Sequence, residues 1–469
     1  MLNTLSRRIT SLLNRRIVHV RREVRYETTH EVWRKVRKMA DEPLPPSRAD
    51  PVIATLNSPE FLSMFTPELK TLVNLFEKYN YELRIAGGAV RDILMNKHPK
   101  DLDFATSATP DQMREMFMKE EIRMLNMKGE RHGTVTARIN DKENFEVTTL
   151  RIDIMTDGRH AQVEFTKNWK LDACRRDLTI NSMYLDFNGN LYDHFYGYDD
   201  LKNRKINFVG NVHTRIREDY LRIFRYFRFY GRIVDSPDQH DETTIKAIKE
   251  NIDGLQRISG ERIWNELSKI LTGKFAVELM LKMLECGSGE YIGLPEEPDV
   301  ESFQVVCRRA LSNNMTLKPI SMIVSLLKNQ EDVMNLHGRL KLSSSDRDLA
   351  LFLIQHREYI PCERPLKPYQ QLVFIQQMNR YDVYREYVRE VLKYQGAVQL
   401  LDEFEKWVIP RFPIGGTMLK SYVRHPKMIG MVLTELKRIW INDDFKNTVD
   451  ELMEHVPRIV NELDNKRKK

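Results

Sequence analysis

Apolar and polar positions follow two rhythms along the 469-residue chain. In the first part, short stretches rich in β-branched and aromatic residues predict strands: one running into Gly87-Gly88, one carrying Asp101-Leu102-Asp103-Phe104, then Thr134–Ile139, Phe145–Arg151 and Gln162–Thr166. A short helix is expected over about residues 66–79. A second begins at Thr109, with Thr109 as N-cap, Pro110 at the first helical position and Asp111 in the first turn. From about residue 173 the chain reads as helical, interrupted by the hairpin-type turn Asn188-Gly189-Asn190. Beyond 241 apolar residues recur at i, i+3, i+4 and i+7, predicting helices over 243–253, 260–272 (stopped by Gly273), 274–285, 345–357, 380–406 and 443–455. Residues 40–60, with Pro43, Pro45, Pro46 and Pro51, read as a linker. The pattern as a whole is α+β: a small mixed α/β head followed by a long all-helical remainder, without a fixed-period repeat.

Length alone implies two or more domains. A hydrophobic content of 41% against 30% charged residues is a globular balance, and no apolar run reaches the roughly 18 residues that a membrane span requires. Cys174, Cys286, Cys307 and Cys362 lie far apart, without zinc-ligand spacing, and read as reduced thiols of an intracellular protein.

The net charge of +7 is concentrated at one end. Residues 1–38 hold eleven Lys and Arg against three Glu, leaving the rest of the chain close to neutral, so polyanion binding there must come from local patches. Residues 1–22 contain three arginine pairs and no acid, with Leu2, Leu5, Ile9, Leu12 and Leu13 at helical spacing. That is the composition of a mitochondrial transit peptide, the alternative being a basic arm that touches RNA. Translation starting at Met39 would drop the segment and leave a non-mitochondrial form, cytoplasmic or nuclear.

Candidate chemistry centres on residues 85–104. Asp101 and Asp103 are expected on one face of a strand, where two adjacent carboxylates repel unless a cation lies between them. Hard oxygen ligands of this number suit Mg2+, which fills its shell with water and substrate phosphates. Gly87 and Gly88 let the backbone approach a ligand closely, although Gly-Gly by itself is also an ordinary turn and no Walker A lysine follows. Arg91, one helical turn on, would reach the same phosphates, and Glu146 could supply a third carboxylate, as metal ligand or base. Downstream, Cys174-Arg175-Arg176-Asp177 offers guanidinium forks matched to phosphate.

Asp219, Arg222, Arg225 and Arg228 recur every third residue among Tyr220, Phe224, Tyr226, Phe227 and Phe229. On one helix Asp219 and Arg222 are neighbours, an acceptor beside donors. Cytosine and adenine present an amino donor beside a ring-nitrogen acceptor, while guanine and uracil present the reverse, so such a pair accepts C and A and rejects G and U. A mismatch costs about 1–3 kcal/mol per buried polar group left facing its like. The structural alternative is a plain ion pair worth a few tenths of a kcal/mol. Ser259-Gly-Glu261-Arg262 reads as the start of a supporting helix, and Gly415-Gly416 as a turn, with phosphate binding the less favoured reading.

Taken in order, Gly87-Gly88-x-Val-Arg91-Asp92, Asp101-x-Asp103, Arg175-Arg176-Asp177-x-Thr-x-Asn181 and Glu218-Asp219-x-x-Arg222 resemble the successive motifs of the class II CCA-adding tRNA nucleotidyltransferases of the polymerase-β-like superfamily. The similarity runs from about residue 58 to 275 and more thinly to about 440. It implies a catalytic nucleotidyltransferase head (58–185), a neck with a nucleotide-reading helix (186–275) and a helical body and tail that bind tRNA (276–469), behind a presequence or basic arm (1–38). It implies Asp101 and Asp103 as catalytic Mg2+ ligands, with Gly87, Gly88 and Arg91 at the triphosphate and Arg176 as a nucleotide contact. Asp219 and Arg222 become the base-reading pair, with Arg225 and Arg228 nearby, and Asp157–His160 resembles the family's flexible loop. The expected activity is template-independent addition of C, C and A to the tRNA 3′ end from CTP and ATP, by a monomer or homodimer with no membrane association. A bacterial-type poly(A) polymerase, which shares the head motifs, and a non-catalytic RNA-binding relative are the competing readings; the latter would be expected to lose Asp101 or Asp103.

Overall fold

The computed structural model describes residues 44–125, 133–156, 161–358, 363–375, 381–423 and 425–467. The expected presequence and the loop Asp157–His160 lie outside them. The chain divides into two compact units, the first running through Asn203 and including Asn207–Asn211, the second comprising Arg204–Ile206 and everything from Val212 onward.

The first unit is built on an eight-stranded sheet. Its elements are β1 (Val52–Thr55), α1 (Pro59–Leu62), α2 (Pro67–Lys78), β2 (Leu83–Ala86), α3 (Gly88–Leu94), β3 (Asp103–Thr106), α4 (Pro110–Lys119), β4 (Arg123–Leu125), β5 (Thr134–Ile139), β6 (Glu143–Thr149), β7 (Arg151–Thr156), β8 (Ala161–Phe165), α5 (Trp169–Cys174), β9 (Tyr184–Leu185), β10 (Asn190–Tyr192) and α6 (Gly197–Lys202). The strand order is β1-β10-β9-β2-β3-β6-β5-β4, with β7 and β8 forming a separate hairpin. Among the described residues only β3 and β6 pair in parallel, as a crossover through α4, β4 and β5 requires.

Register explains which residues face the core. Ile85 pairs with Phe104, Phe104 with Val147 and Val147 with Val135, so one apolar row crosses four strands on a single face. Phe76 of α2 and Phe117 of α4 meet edge to face at 6.1 Å, and Phe104 and Phe145 do so at 5.8 Å. Each of these rings is essentially fully buried, contributing about 1.5–3 kcal/mol. Helix α4 starts as its sequence demands, with a complete capping box between Thr109 and Gln112.

Three head expectations change. The presumed linker contains β1 and the start of α1, because β1 closes the sheet edge against β10 and Leu56 N–H donates to the Gly189 carbonyl at 2.7 Å. Gly189 has φ +86°, and a Cβ there would sit 2.2 Å from the Leu56 oxygen, so this turn requires glycine. The strand expected over 145–151 ends at Thr149. Leu150 turns into a cluster with Ala86, Ala105, Trp169 and Ala173, and Arg151 N–H leaves the ladder for the Asp172 carboxylate, opening β7. Finally, the expected helix after 177 is a 3-10 turn, Thr179–Asn181, followed by the β9–β10 hairpin. Ile180, Met183, Tyr184 and Leu185 are all wholly buried, and Asn181 and Ser182 between them are buried too, so no apolar period separates helix from strand here.

The second unit is helical throughout. It begins with α7 (Val212–Glu218), α8 (Arg222–Ile233), α9 (Glu242–Glu250), α10 (Gly260–Leu271) and α11 (Ala276–Glu285). Near the C-terminus, Phe374, Val432, Leu436, Trp440, Leu452 and Val456 form a core of their own. The helix expected over 380–406 is two, Tyr381–Gln395 and Val398–Lys406, parted at Gly396. That expected over 443–455 shortens to Val449–Glu454, because Thr448 and Glu451 form a capping box that starts it there. Gly416 opens only a four-residue 3-10 turn, in keeping with a plain turn.

Candidate active site

Asp103 is the first residue of β3, and Asp101 precedes the strand rather than lying on it. Both line a cleft of about 710 Å³ together with His98, Lys100, Thr136 and Glu146. Glu146 is in register with Asp103 across the parallel β3–β6 ladder, so the two side chains leave the sheet on the same face. Burial raises the Asp103 carboxyl pKa; Arg176 opposes the shift and the Asp101 charge adds to it. Among the described residues no three His, Cys, Asp or Glu side chains gather at metal-ligand spacing, so the cleft offers a pair of carboxylates with Glu146 alongside.

The wall of this site is a lock built on Asn181 and Asp172. Gly87 has φ +64° and ψ −118°, and a Cβ there would come within 3.0 Å of Arg176 Nη1, so glycine lets the guanidinium lie against the backbone just ahead of α3. Arg176 Nη1 donates to the Asn181 carbonyl at 3.2 Å, while Arg91 Nη1 donates to Asn181 Oδ1 at 2.6 Å and Asn181 Nδ2 to Asp177 Oδ1 at 3.2 Å. Arg91 is buried, with Nε and Nη2 on Asp92 Oδ1 as well. The phosphate-facing arginine expected from the sequence is thus anchored inside the fold, 3.6 Å from where a Gly88 Cβ would be.

Asp172 receives both neighbouring arginines. Arg175 Nε reaches Oδ1 at 2.9 Å, Arg176 Nη2 reaches Oδ2 at 3.2 Å, and Tyr184 Oη donates to Oδ2 at 2.5 Å. Burial by itself would raise this carboxyl, but Arg175, Arg176, the tyrosine hydroxyl and the Arg151 N–H bring it down to about 2. The Arg176 guanidinium also lies 4.9 Å over the Tyr184 ring. Motif reading passes over Asp172, although its spacing to Arg175 and Arg176, i+3 and i+4 from a helix, is the signal that finds it.

In the second unit the arginine row is not one helix. Asp219 falls in the break between α7 and α8, and Arg222 is the first residue of α8. Asp219 Oδ2 accepts from Arg262 Nη2 at 2.7 Å and its Oδ1 from Leu221 N–H at 3.2 Å. Arg222 Nη1 donates to Glu218 Oε2 at 2.6 Å and to the Arg215 carbonyl at 3.0 Å. The expected Asp219–Arg222 pair is therefore replaced by Asp219–Arg262 and Arg222–Glu218, because the break rotates the aspartate off the helix. Arg228 Nη1 lies 2.8 Å from both oxygens of buried Glu266, and Arg225 and Arg228 flank the Phe229 ring. Arg262 is the residue that motif reading undervalued.

Two family descriptions match the chain: "Poly A polymerase head domain" over residues 83–207, and "Probable RNA and SrmB- binding site of polymerase A" over residues 240–296. Proteins named "CCA tRNA nucleotidyltransferase 1, mitochondrial" from Mus musculus and Homo sapiens are each 50% identical over 408 residues, covering 86% of this chain and 93% of theirs. The chain belongs to the CCA tRNA nucleotidyltransferase family. In fold it matches a structure titled "Crystal structure of Bacillus stearothermophilus CCA-adding enzyme in complex with CTP", with a TM-score of 0.66 over 88% of this chain and 100% of that one at 22% identity. The mixed sheet followed by a helical remainder is the fold of these CCA-adding enzymes. A CCA tRNA nucleotidyltransferase belongs to a superfamily that generally uses a divalent metal, and the cleft fits one. Its donors are hard oxygens, and Asp103 is raised by burial and by Asp101 despite Arg176, so a cation there would relieve charge the chain leaves uncompensated.

Proposed function

We propose that the chain adds C, C and A to the 3′ end of tRNA, using CTP and ATP and releasing pyrophosphate. The observation that carries this reading is the carboxylate cleft of Asp101 and Asp103, with Glu146 in register beside Asp103, in the same unit as an Arg176 guanidinium fixed against Gly87. Asp101 and Asp103 would hold Mg2+, with Glu146 beside them. A Mg2+ ion held there would supply Lewis acidity toward the attacking 3′-hydroxyl and charge compensation for the departing pyrophosphate.

The protein's own groups do the placing. The Gly87-Gly88 backbone and Arg176 orient the triphosphate, and Arg91 holds Asn181, and through it Arg176, rigid. Prepositioned donors of this kind act without reorganising when charge develops. Asp219 and Arg222 select the base, Asp219 accepting from the amino group of C or A with its carboxylate steadied by Arg262. Arg225 and Arg228 complete that surface.

The names of the 50%-identical relatives support CCA addition over poly(A) synthesis and the transit-peptide reading of residues 1–38, whereas Met39 as a second start is read from the sequence alone. The decisive experiment supplies tRNA lacking its 3′ end with CTP and ATP and sequences the product. Addition of CCA is expected; A-tails from ATP with no incorporation from CTP alone would establish the poly(A) polymerase instead.

A further inference from the structure

A second pocket, of about 630 Å³, opens on the first unit and shares no residue with the carboxylate cleft. Pro51, Arg84, Lys167, Trp169, Lys170 and His194 are among its lining residues. Arg84 of β2 is clamped there, its guanidinium 4.1 Å over the Trp169 ring and 3.7 Å over that of Tyr192. Nη2 donates to Glu82 Oε2 at 2.9 Å, an acceptor shared with Trp169 Nε1 at 2.6 Å. Among the described residues no other acceptor engages the remaining Arg84 donors, and neither Lys167 nor Lys170 has a carboxylate within ion-pair distance.

The nearby acids offset these cations only in part, the Glu82 and Asp186 charges both acting on Arg84. Asp186 is occupied by the Asn188 and Asn190 amides and the Tyr192 hydroxyl, and Asp193 is buried against the Gly197 and Tyr198 amides and Arg48. Three cations therefore face two carboxylates, the largely exposed Glu82 and Asp186, whose oxygens are already engaged by neutral donors. His194 is buried, and its Nε2 has no partner. Burial, with Arg84 and Lys170, holds its imidazole below its usual pKa, so it adds a neutral polar wall.

A guanidinium made rigid by two rings, with N–H donors left over and two unpaired ammonium groups beside it, has the chemistry of a phosphate subsite. Each ring already has Arg84 on one face, which disfavours base stacking and leaves recognition of backbone rather than sequence. We propose that this pocket binds a phosphodiester group of the RNA substrate, apart from the catalytic cleft. The inference rests on the RNA substrate named under the proposed function.

The test uses the full chain carrying Lys167→Glu with Lys170→Glu, and separately Arg84→Gln with Arg84→Lys as the conservative partner. Binding of tRNA is measured over a salt series, alongside CTP binding and kcat for C addition at saturating tRNA. The double variant should weaken tRNA binding by roughly 5- to 20-fold near 0.1 M salt and lower the salt slope by about one. Its CTP affinity and kcat should stay at the unaltered level, and Arg84→Lys should retain more affinity than Arg84→Gln. Unchanged tRNA affinity and slope in a folded double variant would overturn the proposal, as would weakened CTP binding with tRNA binding intact, which would make the pocket a free-nucleotide site. Failure of the unaltered chain to extend truncated tRNA would instead overturn the functional reading beneath it.

Discussion

Asp172 holds Arg175, Arg176 and Tyr184 in place. Replacing it with Asn leaves two arginines facing a neutral group, at a cost of about 3 kcal/mol, since breaking a buried pair strands its partner charge. The pH dependence follows from sign. The carboxyl titrates near 3.8 when unfolded and at about 2 when folded, so its contribution is complete above pH 4 and is lost as pH falls from about 4 to 2. That contribution is about 2 kcal/mol, and urea melts of Asp172→Asn should show a correspondingly weaker acid loss across this window. Asp103→Ala is expected to abolish nucleotide incorporation while tRNA still binds; appreciable turnover with Mg2+ would remove it from the reaction centre. For base choice, Asp219→Ala should relax selection of C and A against G and U. Arg262→Gln should raise misincorporation about tenfold, the scale of one misplaced polar contact. Selectivity unchanged in both variants, read by sequencing products from mixed nucleotides, would leave this corner merely structural.

At the scale of elements, local chemistry is most readable where a side chain closes a backbone bond next to it in sequence. The α4 start was legible because Thr109 and Gln112 satisfy each other's amides within a single turn and Pro110 brings no amide to satisfy. Thr109→Ala is expected to lower stability by about 1 kcal/mol, visible as a drop of a few degrees in Tm. The β6–β7 corner was not legible, because Leu150 turns toward partners at Ala86, Ala105 and Trp169, far away in sequence. For the same reason the 219–228 row looked like one helix. Its every-third spacing suits a helix, and only the Arg262 contact from α10 and the Glu218 contact from α7 show that Asp219 stands outside it.

At the scale of the molecule, residues 1–38 carry the whole of the net positive charge and the rest of the chain is close to neutral. A form starting at Met39 should fractionate outside mitochondria and keep full CCA-adding activity in extract, and its recovery inside mitochondria would end the transit-peptide reading. The amino-acid order by itself determined the α+β division, the capped start of α4, the Asp101-x-Asp103 spacing and the motifs of the head, because each depends on residues a few positions apart. Tertiary structure decided which partner each charge meets: Arg91 the Asn181 amide, Arg228 Glu266, Asp219 Arg262, and Arg84 the Trp169 and Tyr192 rings. Those partners lie tens of residues apart, and the energy of a charge pair depends on the distance and burial that only the folded chain supplies.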